Sequence, residues 1–183
     1  MSRLYYIFAL YLLVILISGC AHNTSSSQIS SDNENIVIVE NVPFVEQKDK
    51  FCGPASMASV MQFYGRDIDQ NEIAEAIYIP ELNGALISDM ENYARDNGYN
   101  VESTNGSIDM LKSKLDESQP VILLVDKGKW KVSVPHYYVA YGYNDEQETV
   151  ILHTGYKENQ KISFEKLDQE WKKMNYLMLV ITQ

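Results

Sequence analysis

The stretch Gln47-Lys-Asp-Lys-Phe-Cys52-Gly-Pro-Ala55 decides how the rest of the chain is read. Gly53 permits close backbone approach and Pro54 suits a first helical position. Ala55 to Tyr64 then offers Ala58, Val60 and Met61 for a buried face before Gly65 ends the run. Cys52 therefore stands at the start of a helix, where the positive end of the helix dipole favours the thiolate, the reactive form of cysteine. A thiolate attacking a carbonyl also needs donors for the oxyanion that forms. The backbone N–H of Cys52 supplies one, and the side-chain amide of Gln47, five residues upstream, is the natural other.

Upstream of this motif lies a targeting segment. Arg3 gives a short positive start, Leu4 to Ile17 is uninterrupted by charge, and Ile17-Ser18-Gly19-Cys20 follows. The apolar run falls short of the roughly 20 residues that a spanning helix needs, so residues 1–19 read as a signal peptide. Their ending resembles the lipobox of bacterial lipoproteins, which implies cleavage before Cys20 and acylation of its sulfur. Ala21 in place of Asp points, in a diderm cell, to the periplasmic side of the outer membrane. Residues 20–35 are polar and Ser/Asn-rich, a flexible tether. Residues 36–183 are enough for one domain with its own core.

Charge and cysteine count exclude several function classes. The formal net charge is −10 at pH 7, and removal of residues 1–19 takes away one Arg and no acid. A body this acidic argues against nucleic acid as a partner and against electrostatic adhesion to anionic lipid. Membrane attachment is expected through the N-terminal lipid alone. Of the 2 cysteines, an acylated Cys20 leaves Cys52 without an intramolecular partner. One Cys and three scattered histidines, His22, His136 and His153, give no zinc-ligand spacing, and no cofactor is expected.

The pattern Gln-x-x-x-x-Cys-Gly-Pro-Ala leading into a helix resembles the papain-like cysteine peptidases that process bacteriocin and other double-glycine leader peptides. The resemblance extends from about Asn41 to Gln183. It implies an α+β papain-like fold, with N-terminal helices, the nucleophile on the first of them, packed on an antiparallel sheet that carries the histidine. It further implies that Gln47 lines the oxyanion hole, that Cys52 is the nucleophile, and that a His near the start of a later strand is the base, oriented by an Asp or Asn.

The base is sought in Pro135-His136-Tyr137-Tyr138-Val139-Ala140-Tyr141-Gly142-Tyr143, an aromatic and β-branched run followed by the turn Asn144 to Gln147 and a return strand Thr149 to His153. His136 enters this hairpin directly after a proline and is the candidate base. The expected register sets His153 about opposite Tyr137, on the other sheet face from His136, and sets Thr154 opposite His136. Thr154 thus takes the orienting position, as a neutral group where the resemblance implies an Asp or Asn.

The remaining elements are read from caps and periodicity. Asp69 with Glu72 starts a helix to about Ile77, Leu86 to Asn97 is helical up to Gly98, and Ser107 caps a helix to Glu117. Pro120 to Val125 is a buried strand, Phe164 to Lys173 a helix, and Tyr176 to Ile181 a closing strand. The functional expectation is a lipid-anchored thiol hydrolase acting on a peptide or protein in the cell envelope. A catalytically inactive binder on the same fold and a Cys–His acyltransferase are the alternatives. Relatives that cleave double-glycine leaders are often fused to an exporter ATPase; this chain carries no Gly-x-x-x-x-Gly-Lys-Ser/Thr, and Phe51 stands where they often have Asp.

Overall fold

The computed structural model describes residues 36–183; the expected signal segment 1–19, the acylation site Cys20 and the tether 20–35 lie outside the described residues. An antiparallel sheet forms the centre. Its strands are β1 (Ile36–Ile38), β2 (Asn100–Asn105), β3 (Val121–Asp126), β4 (Pro135–Asn144), β5 (Thr149–His153), β6 (Gln160–Ser163) and β7 (Leu177–Thr182). The order is β2-β7-β3-β4-β5-β6, with β1 paired to the far end of β4. The helices are α1 (Cys52–Phe63), α2 (Gln70–Ile77), α3 (Ile87–Asp96), α4 (Ile108–Asp116) and α5 (Phe164–Trp171).

Local chemistry sets the element ends. Asp69 accepts from the N–H of Asn71, Ser107 from that of Met110 and Ser163 from that of Lys166, so α2, α4 and α5 each begin on a side-chain cap. β3 reads Val-Ile-Leu-Leu-Val-Asp and is buried throughout, as a strand covered on both faces should be. The sequence reading omits β1, β2 and β6. Asn100–Asn105 and Gln160–Ser163 are polar edge strands, half covered, without the apolar alternation that marks a strand.

α1 is the central helix. Every residue from Gly53 to Met61 is buried, and Met57, Val60 and Met61 are fully enclosed. Its first turn sits tightly: a Cβ on Gly53 would lie 3.0 Å from the Ala85 Cβ and 3.5 Å from the Tyr137 ring. Glycine after Cys52 is what lets the helix start approach β4 and the Ala85 loop together.

Corrected register matters for the site. β4 and β5 pair Asn144 with Thr149 and Gly142 with Ile151, then shift across a bulge at Tyr141 so that Val139 faces His153. His153 is therefore opposite Val139, not Tyr137. Its placement on the other sheet face from His136 holds, because Val139 and His136 are an odd number of residues apart. Thr154 is likewise not the strand partner of His136.

The core runs from Val39 to Ile181, so the described residues carry their own hydrophobic interior. Trp171, the largest fully buried side chain, fills the space under Gly106 and Met178 and donates its indole N–H to the Leu177 carbonyl at 2.9 Å. Trp171→Ala should cost about 3–5 kcal/mol of unfolding free energy in a urea titration. A loss under 1 kcal/mol would mean that this space is not tightly filled.

Candidate active site

Cys52 is the first residue of α1 and is half-buried, with a free thiol. The N–H of Tyr137 hydrogen-bonds its sulfur, with the N–H groups of Gly53 and of Cys52 itself also acting on it. Position alone thus gives the sulfur the electropositive surroundings expected from the helix start. Burial outweighs them: removal from water pushes the thiol above its ordinary value, against the downward pull of those N–H groups and of Lys127. Desolvation is the largest effect on the thiol and works against the thiolate expected from the helix start.

His136 immediately precedes the Tyr137 N–H that meets the thiol. The imidazole is buried, and its Nε2 lies 2.7 Å from the Thr154 carbonyl oxygen. A carbonyl only accepts, so Nε2 carries the proton and Nδ1 keeps its lone pair. The ring stacks on Tyr156 with centroids 5.7 Å apart and planes 8° from parallel, and Tyr138 meets it edge-on at 5.5 Å. Burial pulls the His136 pKa down to about 4; the Thr154 carbonyl opposes this and the charge of Lys127 adds to it. Imidazole and thiol are both neutral at pH 7.

Thr154 orients His136 through its backbone rather than its side chain. Its hydroxyl faces away, accepting the Lys157 N–H at 3.0 Å and donating to the Lys157 carbonyl at 3.3 Å, while its own N–H bonds that carbonyl at 2.9 Å. The side chain builds the turn Thr154–Lys157, and the turn presents the carbonyl. Sequence reading placed a hydroxyl where the fold places a peptide dipole.

The same turn holds Gln47. The Gln47 N–H donates to the Gly155 carbonyl at 2.8 Å, and a Cβ on Gly155 would run into the Gln47 amide. Gly155 itself sits at φ +80°, where glycine is favoured. Gln47 is buried, and its Oε1 has no hydrogen-bond partner. Buried side-chain amides are ordinarily satisfied, and an unpaired one marks a place where another group belongs.

His153 has a different role. Its Nε2 donates to the Val42 carbonyl at 3.1 Å, its Nδ1 accepts from the Asn159 N–H at 3.4 Å, and Tyr141 and Phe44 pack on its ring. Nε2 joins β5 to the N-terminal segment, and Nδ1 braces the turn that leads into β6. Three contributors escaped the sequence reading: the Tyr137 N–H, the Tyr156 ring, and Lys127, whose Nζ lies 5.7 Å and 5.8 Å from the Tyr138 and Tyr156 ring centroids. Gly155 between Thr154 and Tyr156 was the available signal for a functional turn.

A cleft of about 630 Å³ opens beside Cys52, walled by Leu82, Leu86, Leu124, Val134, Tyr137 and Leu177 among others, with Lys50 as its single charged residue. No cluster of His, Cys, Asp and Glu able to hold a metal occurs among the described residues.

A family model described as Peptidase C39 like matches residues 39–179. No curated protein matches the chain. Among solved structures, the peptidase domain of Streptococcus ComA, a bifunctional ABC transporter involved in quorum sensing, superposes with a TM-score of 0.63 at 25% identity, covering 77% of this chain and 98% of that one. A putative C39-like peptidase from Bacillus anthracis gives 0.66 at 22% identity, covering 81% and 98%. A double glycine motif protease from an AMS/PCAT transporter, in complex with its leader peptide, gives 0.61 at 18%, covering 77% and 91%.

The raised thiol has a direct readout. Alkylation of Cys52 by iodoacetamide should be slower at pH 7 than that of a free cysteine and should keep rising past pH 9, where a free cysteine with pKa near 8.5 has begun to level off. His153→Ala should lower the melting temperature and leave this curve in place. A plateau below pH 8 would mean that the thiolate is the resting form.

Proposed function

The chain belongs to the Peptidase C39-like family, and we propose that it is a cysteine peptidase in which His136 is the base and Gln47 the oxyanion donor. The observation that carries this reading is the Thr154–Lys157 turn, which holds the His136 imidazole through the Thr154 carbonyl and the Gln47 backbone through the Gly155 carbonyl. Fold membership supports peptidase chemistry; the roles of the individual residues are our reading.

In the reaction, Cys52 Sγ attacks the scissile carbonyl carbon while its proton passes to His136 Nδ1. Negative charge gathers on the carbonyl oxygen, which accepts from the Cys52 N–H and the Gln47 amide. The imidazolium, steadied by the Thr154 carbonyl, returns the proton to the leaving amine as the C–N bond breaks. Water, deprotonated by the same nitrogen, then hydrolyses the thioester. Because thiol and imidazole start neutral, proton transfer accompanies attack, and substrate entry costs no preformed ion pair its solvation.

The substrate class follows from the cleft. Its walls are aliphatic and aromatic, and Leu82, Leu86 and Val134 are exposed at its mouth, so an extended peptide with bulky apolar side chains beside the cleaved bond suits it. The fold itself accommodates a peptide, as the leader-bound double glycine protease illustrates. We further propose a lipid-anchored protein, cleaved before Cys20 and acylated there, with its peptidase domain in the cell envelope. The sequence Leu4 to Ile17 followed by Ser-Gly-Cys20 supports this, and Cys20→Ala should abolish incorporation of labelled fatty acid.

Two measurements test the catalytic reading. Gln47→Ala should lower kcat on a cleaved apolar peptide about 100- to 1000-fold while leaving Cys52 alkylation unchanged; parent-level turnover would remove Gln47 from the mechanism. The acid limb of kcat/KM should fall near pH 4, following the depressed His136, and His136→Ala should abolish turnover. A reactive Cys52 with no peptide cleaved by the parent would make the domain a binding module.

A further inference from the structure

The loop joining β3 to β4 reads Lys127-Gly-Lys129-Trp130-Lys131-Val132-Ser133-Val134. It is closed at its base, where the Lys127 N–H donates to the Val134 carbonyl at 3.0 Å and Asp126 Oδ1 accepts from the N–H groups of Gly128 at 2.7 Å and Val134 at 2.8 Å. Lys173 ties it to the region after α5, donating to the Gly128 carbonyl at 2.9 Å. The tip is a tight turn in which the Val132 N–H reaches the Lys129 carbonyl at 3.2 Å. On that fixed base, Trp130 is wholly exposed, at 103% of its reference area, and Val132 and Val134 are 67% and 47% exposed.

Trp130 also sits at φ +61°, a left-handed conformation that a bulky side chain adopts at a cost. A large apolar side chain is thus held outward, in a strained turn, by hydrogen bonds that belong to the loop base. The surroundings are cationic. Lys127 and Lys129 share one surface hollow with Lys166, Lys172 and Lys173, and Lys131 follows Trp130. Those six lysines are drawn from only 15 basic residues in a chain of net charge −10.

Nearby carboxylates are engaged. Asp126 caps the loop, Glu170 accepts from the Tyr138 hydroxyl at 3.1 Å and lies 4.0 Å from Lys166, and Asp168 accepts from the Tyr176 hydroxyl at 2.9 Å. A protruding tryptophan and two valines beside a lysine-rich hollow have the composition of a membrane-interface anchor: the indole seats at headgroup depth and the ammonium groups meet anionic phosphates.

We propose that the β3–β4 loop is a docking surface for an anionic phospholipid bilayer. Charge at the scale of the whole chain does not oppose it, because at physiological salt charges beyond about 8 Å are screened and the loop acts through its own surroundings. A soluble polyanion would need the lysines but not three exposed apolar side chains, which is why a bilayer fits better. Neither acylation of Cys20 nor the peptidase reading is required. The consequence is geometric: Val134 both belongs to this loop and lines the cleft beside Cys52, so docking would set the cleft mouth at the lipid surface.

The test uses residues 33–183, which hold the whole described core, with vesicles of phosphatidylcholine alone or mixed equally with phosphatidylglycerol. Of the 2 tryptophans, Trp171 is buried, so changes in emission report Trp130. On phosphatidylglycerol vesicles the protein should co-sediment, its emission should shift to the blue, and acrylamide quenching should drop; phosphatidylcholine vesicles should do none of this. Trp130→Ser should remove the spectral change. Lys129→Gln with Lys131→Gln should lower the partition coefficient about 25-fold, roughly five-fold per lysine, while the Lys→Arg pair should retain it. Unchanged melting temperatures would show that these exposed substitutions leave the fold intact. Absence of partition into anionic vesicles, equal partition into neutral ones, or binding to heparin with Trp130 still open to acrylamide would overturn the proposal, the last in favour of a polyanion site.

Discussion

The hydrogen bond from His136 Nε2 to the Thr154 carbonyl is the contact on which the site depends, because it belongs to a turn with two other duties. Thr154 and Lys157 close that turn through backbone and hydroxyl alike. Gly155, in the left-handed conformation, offers its carbonyl to the Gln47 N–H and makes room for the Gln47 amide. Tyr156 then covers the imidazole. The placements of the His136 imidazole, the Gln47 amide and the Tyr156 ring are therefore not independent. A change anywhere in the turn moves all three, and coupled effects of this kind are not additive.

A peptide carbonyl differs from a carboxylate in one decisive respect. It fixes the tautomer and the ring plane equally well, but it carries no charge to offset an imidazolium. With Lys127 nearby, the local field favours negative charge on sulfur and disfavours positive charge on the ring. The two effects leave a neutral pair whose ionisation must be driven by the reacting carbonyl. In the peptidase reading, such a site stays quiet until a peptide fills the cleft and excludes water.

How much of this was legible in the sequence follows the chemistry of each part. Cys52 at a helix start was readable because Gly53, Pro54 and the periodic run after them each act locally. Strands β3 and β7 were readable from continuous burial, whereas β2 and β6 were not, since an edge strand needs backbone partners rather than an apolar pattern. That His136 and His153 lie on opposite sheet faces followed from alternation along the hairpin. Thr154 was named beside His136, but neither its atom nor the register was legible: a bulge at Tyr141 moves the pairing, and the backbone carbonyl rather than the hydroxyl meets the ring. The surroundings of Cys52 were only partly legible for a related reason. A helix dipole can be read from sequence order, but the burial that outweighs it depends on what packs above the sulfur.

Net charge, too, averages over distance. Although the chain is acidic, lysines from the β3–β4 loop and from the region around α5 line one hollow while lying some forty residues apart in sequence. The loop that carries them leads directly into His136 through Val134 and Pro135, and the strand that precedes it ends at Asp126, whose carboxylate fixes the loop base. Loop and site therefore share a rigid support. Whatever orients the loop also orients the cleft, and a protein held at a surface by this loop would meet peptides there in one presentation rather than many. Under both proposals, the apolar walls beside Cys52 and the exposed indole would act as parts of one arrangement, selecting peptides both by side chain and by where they are met.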